Sequence, residues 1–399
     1  MSTISFMPPE SISNAFLKYL LALLLITAGC GQSEVVIPFK EGITISVSTD
    51  TSDISFFRYF EGLEFIPLET SKEAVLGPQL TKVVCLNDQF YILDHEQDAL
   101  MIFGSDGSFI DKIARKGRGP GEYQHLLDFQ VNEFTGNLEL LDGWGRLLIF
   151  SHDELEFLYD IPIDLRAAHR FLNINADTIV FYTSSENQKL AFYSRSKERI
   201  FHKDFEFDEI DAINAFPQWG RTSPLRKIGD ISIFQAPYDF YRVYDITNSE
   251  LELYRQFDFG KANLDISRIE RGNDQFFYAR YWQTLRGEVP AVLNYHETEN
   301  GLIIACYMFN HNIYGAFHDL RTGTTESVRF YNENQIGFMN FCYFDDEYGY
   351  HLIGLTNRNA SDEMLSIMTD EQLNILKGVE PGSNPIMTRY KLRSEPMAD

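Results

Sequence analysis

Seven consecutive residues, Gly117-Arg118-Gly119-Pro120-Gly121-Glu122-Tyr123, concentrate the most suggestive chemistry in this sequence. Glycine-rich strings cradle phosphates when a strand precedes them and a helix follows. Here a strand-like run lies on each side, which argues against a nucleotide loop. What remains is an arginine fork suited to carboxylate or sulfate, beside a carboxylate and a phenol. Arg118, Glu122 and Tyr123 are therefore candidate ligand contacts. The plain alternative is a rigid turn in which Arg118 bonds backbone carbonyls. Three further arginines stand in similar settings: Arg166 close to His169, Arg221 in Trp219-Gly220-Arg221, and Arg286 close to Trp282. Together they suggest a mouth that recognises an anion, with indole faces suited to sugar rings or peptide side chains. His125 and His169 are the candidate metal ligands; a metal-dependent hydrolase or lyase is the alternative reading they support. The sequence contains no GxSxG, HExxH or CxxC motif, and Asp345-Asp346 falls in a turn, where paired carboxylates are solvated. No cofactor is expected.

Charge narrows the partners. Lys and Arg number 34 against 58 Asp and Glu, a net charge of −24 over 399 residues. A chain that neutralises nucleic-acid phosphates needs a basic face, so no nucleic acid is expected, and electrostatic docking on anionic lipid is equally disfavoured. The hydrophobic fraction is 44% and the aromatic fraction 14%. That supplies a sizeable core and leans towards strands. Of the four cysteines, Cys85, Cys306 and Cys342 lie in apolar runs and read as buried thiols, with a Cys306–Cys342 bridge as an alternative.

The elements that must position these residues are short strands. From Gly62 onward, apolar runs of four to seven residues recur about every ten residues, separated by turn residues. The clearest set is TKVVCL, QFYILD, ALMIFG and SFIDKIA, followed by DFQVN, NLELLD, RLLIFS and LEFLYDIPI. The two sets match piece by piece, YILD with ELLD and MIF with LIF, which is the repeat of propeller blades. Further sets follow at RFLNIN to RIFHKD, at 225–257 and at 291–330. A sixth begins with IGFMNFCYF and YGYHLIGL, passes through a short helical insertion near 361–377, and ends in NPIMTRYKLR. It lacks one strand. Leu63 to Glu69 has no partners of its own, so pairing it with Ile386 to Leu392 completes the blade and closes the ring. The expectation is an all-β, six-bladed propeller with four antiparallel strands per blade. In that fold the arginine-bearing segments become blade-to-blade loops on the face where the channel opens.

The first thirty residues read as an address. Tyr19 to Ala28, YLLALLLITA, is too short to span a bilayer comfortably and fits the apolar region of a secretory signal. It ends in Thr27-Ala28-Gly29-Cys30, which resembles a bacterial lipobox, with Thr27 in place of the usual Leu. The resemblance implies that Cys30 is acylated and becomes the mature N-terminus. The expected organisation is a signal over 1–29, a tether and N-terminal segment over 30–61, the propeller over 62–393 and a tail over 394–399.

FIPLET at Phe65 to Thr70, YILD at Tyr91 to Asp94, the glycine loop and the closing NPIMTRYKLR resemble the six-bladed β-propeller lipoproteins of anaerobic Gram-negative bacteria, relatives of the NHL-repeat propellers. The resemblance implies a fold and an address, lipid-anchored at the cell envelope on the outer membrane, and no reaction. The arginine- and tryptophan-bearing loops themselves suggest a binding module that faces a glycan, a peptide or an envelope protein.

Overall fold

The structure, a computed structural model, describes residues 42–50, 58–77, 80–165, 168–183, 188–206, 223–235, 241–263, 289–310, 312–329, 343–345, 347–353, 368–378, 380 and 382–393. Two strands precede the first repeat, β1 (Ile43–Ser46) and β2 (Phe60–Pro67). Blade one is β3 (Leu80–Leu86), β4 (Gln89–Asp94), β5 (Ala99–Gly104) and β6 (Phe109–Ile113). Blade two is β7 (Leu126–Val131), β8 (Leu138–Asp142), β9 (Arg146–Phe150) and β10 (Phe157–Pro162). Blade three is β11 (Ala168–Asn173), β12 (Thr178–Thr183), β13 (Gln188–Ser194) and β14 (Arg199–Glu206). Blade four is β15 (Leu225–Ile228), β16 (Ile231–Phe234), β17 (Arg242–Asp245) and β18 (Glu252–Asp258). Blade five is β19 (Ala291–Glu297), β20 (Leu302–Phe309), β21 (Asn312–Asp319) and β22 (Thr324–Arg329). Blade six holds β23 (Tyr343–Phe344), β24 (Tyr348–Ile353), the helix α1 (Asp370–Gly378) and β25 (Ile386–Leu392).

The six sheets are antiparallel meanders, as the repeat predicts. Their middle strands read as continuous apolar runs because neighbouring blades cover both faces. Every residue of β8 and β12 is buried, whereas β10, an outer strand, is mostly exposed. The turn between β3 and β4 uses Asn87 and Asp88 at φ 50° and 57°. Two successive positive φ values match the twist of the flanking strands, and Asn and Asp tolerate them best. The core is a series of clusters between blades. Tyr91, Leu93 and Ile102 of blade one, for example, pack on Phe129, Leu138 and Leu148 of blade two.

The ring closes as expected. β2 pairs antiparallel with β25, Phe60 opposite Leu392 and Pro67 opposite Ile386, giving the order β2-β25-β24-β23. Polar ties reinforce the seam. Arg389 meets Glu64 at 2.7 Å, and the Arg393 Nε–H donates to the Phe60 carbonyl at 3.1 Å. Buried Asn384 donates to the Glu69 carbonyl at 2.6 Å and accepts from the Leu76 N–H at 2.8 Å. α1 begins with a reciprocal capping box: Thr369 N–H donates to Gln372 Oε1 at 2.9 Å and Gln372 N–H to Thr369 Oγ1 at 3.2 Å.

One element departs from the sequence reading. Within the segment expected to be a tether, β1 pairs parallel with β18, Ile43 opposite Arg255 and Ser46 opposite Asp258, and makes blade four five-stranded. Ile45 and Val47 are buried among Val292, Tyr295 and Ile303 of blade five. Cys306 carries a free thiol, so no bridge to Cys342 forms; Cys342 itself lies outside the described residues. Burial pushes the Cys306 thiol up to about 12.

Candidate functional site

The glycine loop lies between β6 and β7 and is held from within. The Glu122 carboxylate accepts the Gly119 N–H at 2.7 Å and fills the space beside Gly117, where a Cβ would stand 1.9 Å from Oε2. Gly121, at φ 74°, packs on Phe157 so closely that a Cβ would lie 2.7 Å from it. Only glycine fits both constraints there. Tyr123 is fully buried. Its hydroxyl makes hydrogen bonds to the Asp98 carbonyl at 2.8 Å and the Ile113 carbonyl at 2.9 Å, and burial raises its pKa to about 12. Glu122 and Tyr123 are thus engaged inside the turn. Arg118 is exposed, and among the described residues its guanidinium has neither a hydrogen bond nor an ion pair. Arg166, Arg221, Arg286, Trp219, Trp282 and Cys30 lie outside the described residues. His125 is exposed, with Nδ1 3.6 Å from Asp98 Oδ1. His169 is partly buried, and desolvation lowers its pKa. Among the described residues no three His, Cys, Asp or Glu side chains cluster as metal ligands.

A different place draws all six blades together. A cavity of about 250 Å³ lies on the channel axis, lined by residues from each inner strand and its flanks. Its walls come from Val83 and Val84 of β3, Val131 of β7, Leu172 of β11, Leu225 of β15, and Tyr343 and Phe344 of β23. Except in short β15, these lie in the middle or C-terminal half of their strands. The cavity therefore sits towards the hairpins that leave the inner strands, away from the blade-to-blade loops.

The charged residues of this cavity are mostly cationic: Lys82, Arg226 and Lys227 against Glu133. Lys82 is buried; its ammonium donates to Asp128 Oδ1 at 2.8 Å and to the Phe129 carbonyl at 2.6 Å. Desolvation lowers its pKa, and Asp128 opposes the shift. The second carboxylate oxygen of Asp128 accepts the Phe171 N–H at 2.9 Å, so one buried ion pair links blades one, two and three. Lys227 of blade four pairs with Glu133, just beyond β7 in blade two, so their link crosses the channel.

Arg226 has no such partner. Its guanidinium donates to Gln235 Oε1 at 3.0 Å and the Ser223 carbonyl at 3.3 Å, lies 6.0 Å from the Tyr295 ring centroid, and leaves Nε buried without a partner. No carboxylate pairs with it among the described residues. Burial lowers its pKa to about 10, so it stays charged at neutral pH. His296 stacks on Phe344 with ring centroids 4.8 Å apart. Burial first, and the Arg226 charge second, lower its pKa to about 3. A hydrogen bond to the Asp345 backbone opposes that shift. The His296 Nε2 is fully buried and has no hydrogen-bond partner.

The sequence held a signal for this site. Lys82 in TKVVCL, Arg226 and Lys227 in LRKI, and His296 in AVLNYHE are basic residues inside innermost strands. An inner strand's side chains face either a neighbouring blade or the axis, so a basic residue in that position points to the channel.

Comparison with known proteins supports the fold and supplies no activity. A candidate exported protein from Bacteroides fragilis superposes with a TM-score of 0.70 at 18% identity, covering 88% of this chain and 100% of that one. A member of the DUF4221 family from Bacteroides vulgatus superposes with a TM-score of 0.51 at 8% identity, covering 84% and 97%. No curated protein matches. Residues 35–391 match the family described as a domain of unknown function (DUF4934), a span that takes in β1 and all six blades, and the chain belongs to that family.

Proposed function

We propose that this chain is a recognition module of the cell envelope, tethered by lipid at Cys30, that holds a small ligand in its axial channel. The observation that carries the proposal is the cavity walled by all six blades, with an arginine that no carboxylate neutralises among the described residues. Pockets of this kind pair an apolar lining with a few polar groups that fix orientation. Tethering rests on the lipobox-like Thr27 to Cys30, and the similar Bacteroides fragilis protein being described as exported agrees with an envelope location. Among the described residues no helix is long and apolar enough to cross a membrane. Two acyl chains or more would exceed the reversible binding of one. A glycan, peptide or envelope protein on the outer membrane remains the proposed partner class for the arginine-bearing loops.

Two experiments test this reading. Cys30→Ser should move the protein from the membrane to the soluble fraction and abolish fatty-acid labelling; unchanged labelling would refute the anchor. For the channel, the small molecules released on heating wild type are compared by mass spectrometry with those from Val131→Trp, whose indole would fill the cavity. A compound released only by wild type supports the site, and identical extracts from two folded proteins overturn it.

A further inference from the structure

We infer that the axial cavity binds a small organic monocarboxylate with an aliphatic body. The inference rests on the recognition reading above and specifies its ligand. Three cations line the cavity, and two are already matched: Lys82 by Asp128 and Lys227 by Glu133. Of the three, Arg226 alone lacks a carboxylate among the described residues. A guanidinium has five N–H donors, of which Ser223 takes one from Nη1 and Gln235 one from Nη2. One carboxylate accepting the remaining hydrogens of Nη1 and Nη2 would satisfy those donors and the charge together. A dianion would bring one charge more than this site leaves unmatched. Valines 83, 84 and 131, with Leu172 and Leu225, give the cavity an aliphatic side, which an inorganic anion would leave without contacts.

Calorimetric titration of the full chain with N-acetylvaline, N-acetylvalinamide, isovalerate and inorganic phosphate tests the assignment. N-Acetylvaline and isovalerate should both bind, and the uncharged amide and phosphate should not bind measurably. Arg226→Gln should weaken N-acetylvaline by about 10- to 100-fold, the worth of a charge-assisted pair, with its melting temperature held or raised because a buried cation is gone. N-Acetylvaline binding that survives Arg226→Gln, equal binding of acid and amide, preference for phosphate, or no binding by folded wild type would each overturn the inference. A compound released only from the unblocked channel would still stand as evidence for the broader recognition reading in each of those cases.

Discussion

Within the glycine loop, two neighbouring polar residues differ in what they support. The Tyr123 hydroxyl bonds two carbonyls inside the protein, and a buried acceptor that loses its donor is destabilised by about 1–3 kcal/mol. Tyr123→Phe should therefore lower the unfolding free energy, read from urea titration, by that order. Arg118 is exposed and supports no contact among the described residues, so Arg118→Ala should change stability by no more than about 0.5 kcal/mol. A large loss from Arg118→Ala would revive the carbonyl-bonding alternative. His296 gives a residue-scale pH dependence. In the unfolded chain its imidazole titrates near the ordinary 6.5; in the fold it does so at about 3. Between those values the unfolded chain binds more protons, so this residue makes stability fall as the pH is lowered from 6.5 towards 3. His296→Phe should flatten the decline of melting temperature over that interval. An unchanged slope would place the acid sensitivity elsewhere.

At the scale of the element, β1 shows how a short strand can be fixed by its neighbours alone. ITIS has an exposed-exposed-buried-exposed pattern, with Ile45 as its one buried side chain. It adds to β18 in parallel, and its pairing starts at Ile43 opposite Arg255. The addition covers an outer edge that would otherwise offer unpaired backbone groups. It also wedges Ile45 and Val47 between blades four and five. Ile45→Asp would bury an unpaired charge and should destabilise the protein by about 3 kcal/mol or more. Ile43→Asp, on the exposed face of the same strand, is the control and should stay within about 0.5 kcal/mol. Equal effects of the two changes, read from denaturant midpoints, would mean that β1 does not seat on blade four.

The whole molecule depends on the seam between its ends. β2 brings Phe60, Leu63, Phe65 and Ile66 into buried positions, each worth about 1.5–3 kcal/mol when fully buried. Its loss would also expose the edge of β25. Removing residues 60–67 should therefore leave no cooperative unfolding transition in calorimetry, whereas a soluble variant that melts cooperatively would refute closure by this strand. The seam was legible beforehand because it rests on counting: a last repeat short of one strand, and one orphan strand at the start. The blades were legible for a local reason, since apolar runs and turn residues recur at a spacing that the chain states directly.

The axial site was legible only as isolated oddities, basic residues in apolar inner strands. Whether a lysine there is matched or bare depends on what faces it from other blades. Lys82 meets Asp128 from blade two, Lys227 meets Glu133 across the channel, and Arg226 meets no carboxylate among the described residues. The sequence by itself determined the strand repeat, the number of blades, the closing pair and the capped helix, because each follows from local periodicity or from a missing partner. Only the tertiary structure decided that Tyr123 is internal, that β1 joins blade four, and that Arg226 and His296 share one cavity. These outcomes depend on the burial and pairing of groups far apart in the chain, and the strength of such pairing is set by the desolvation that the closed ring imposes.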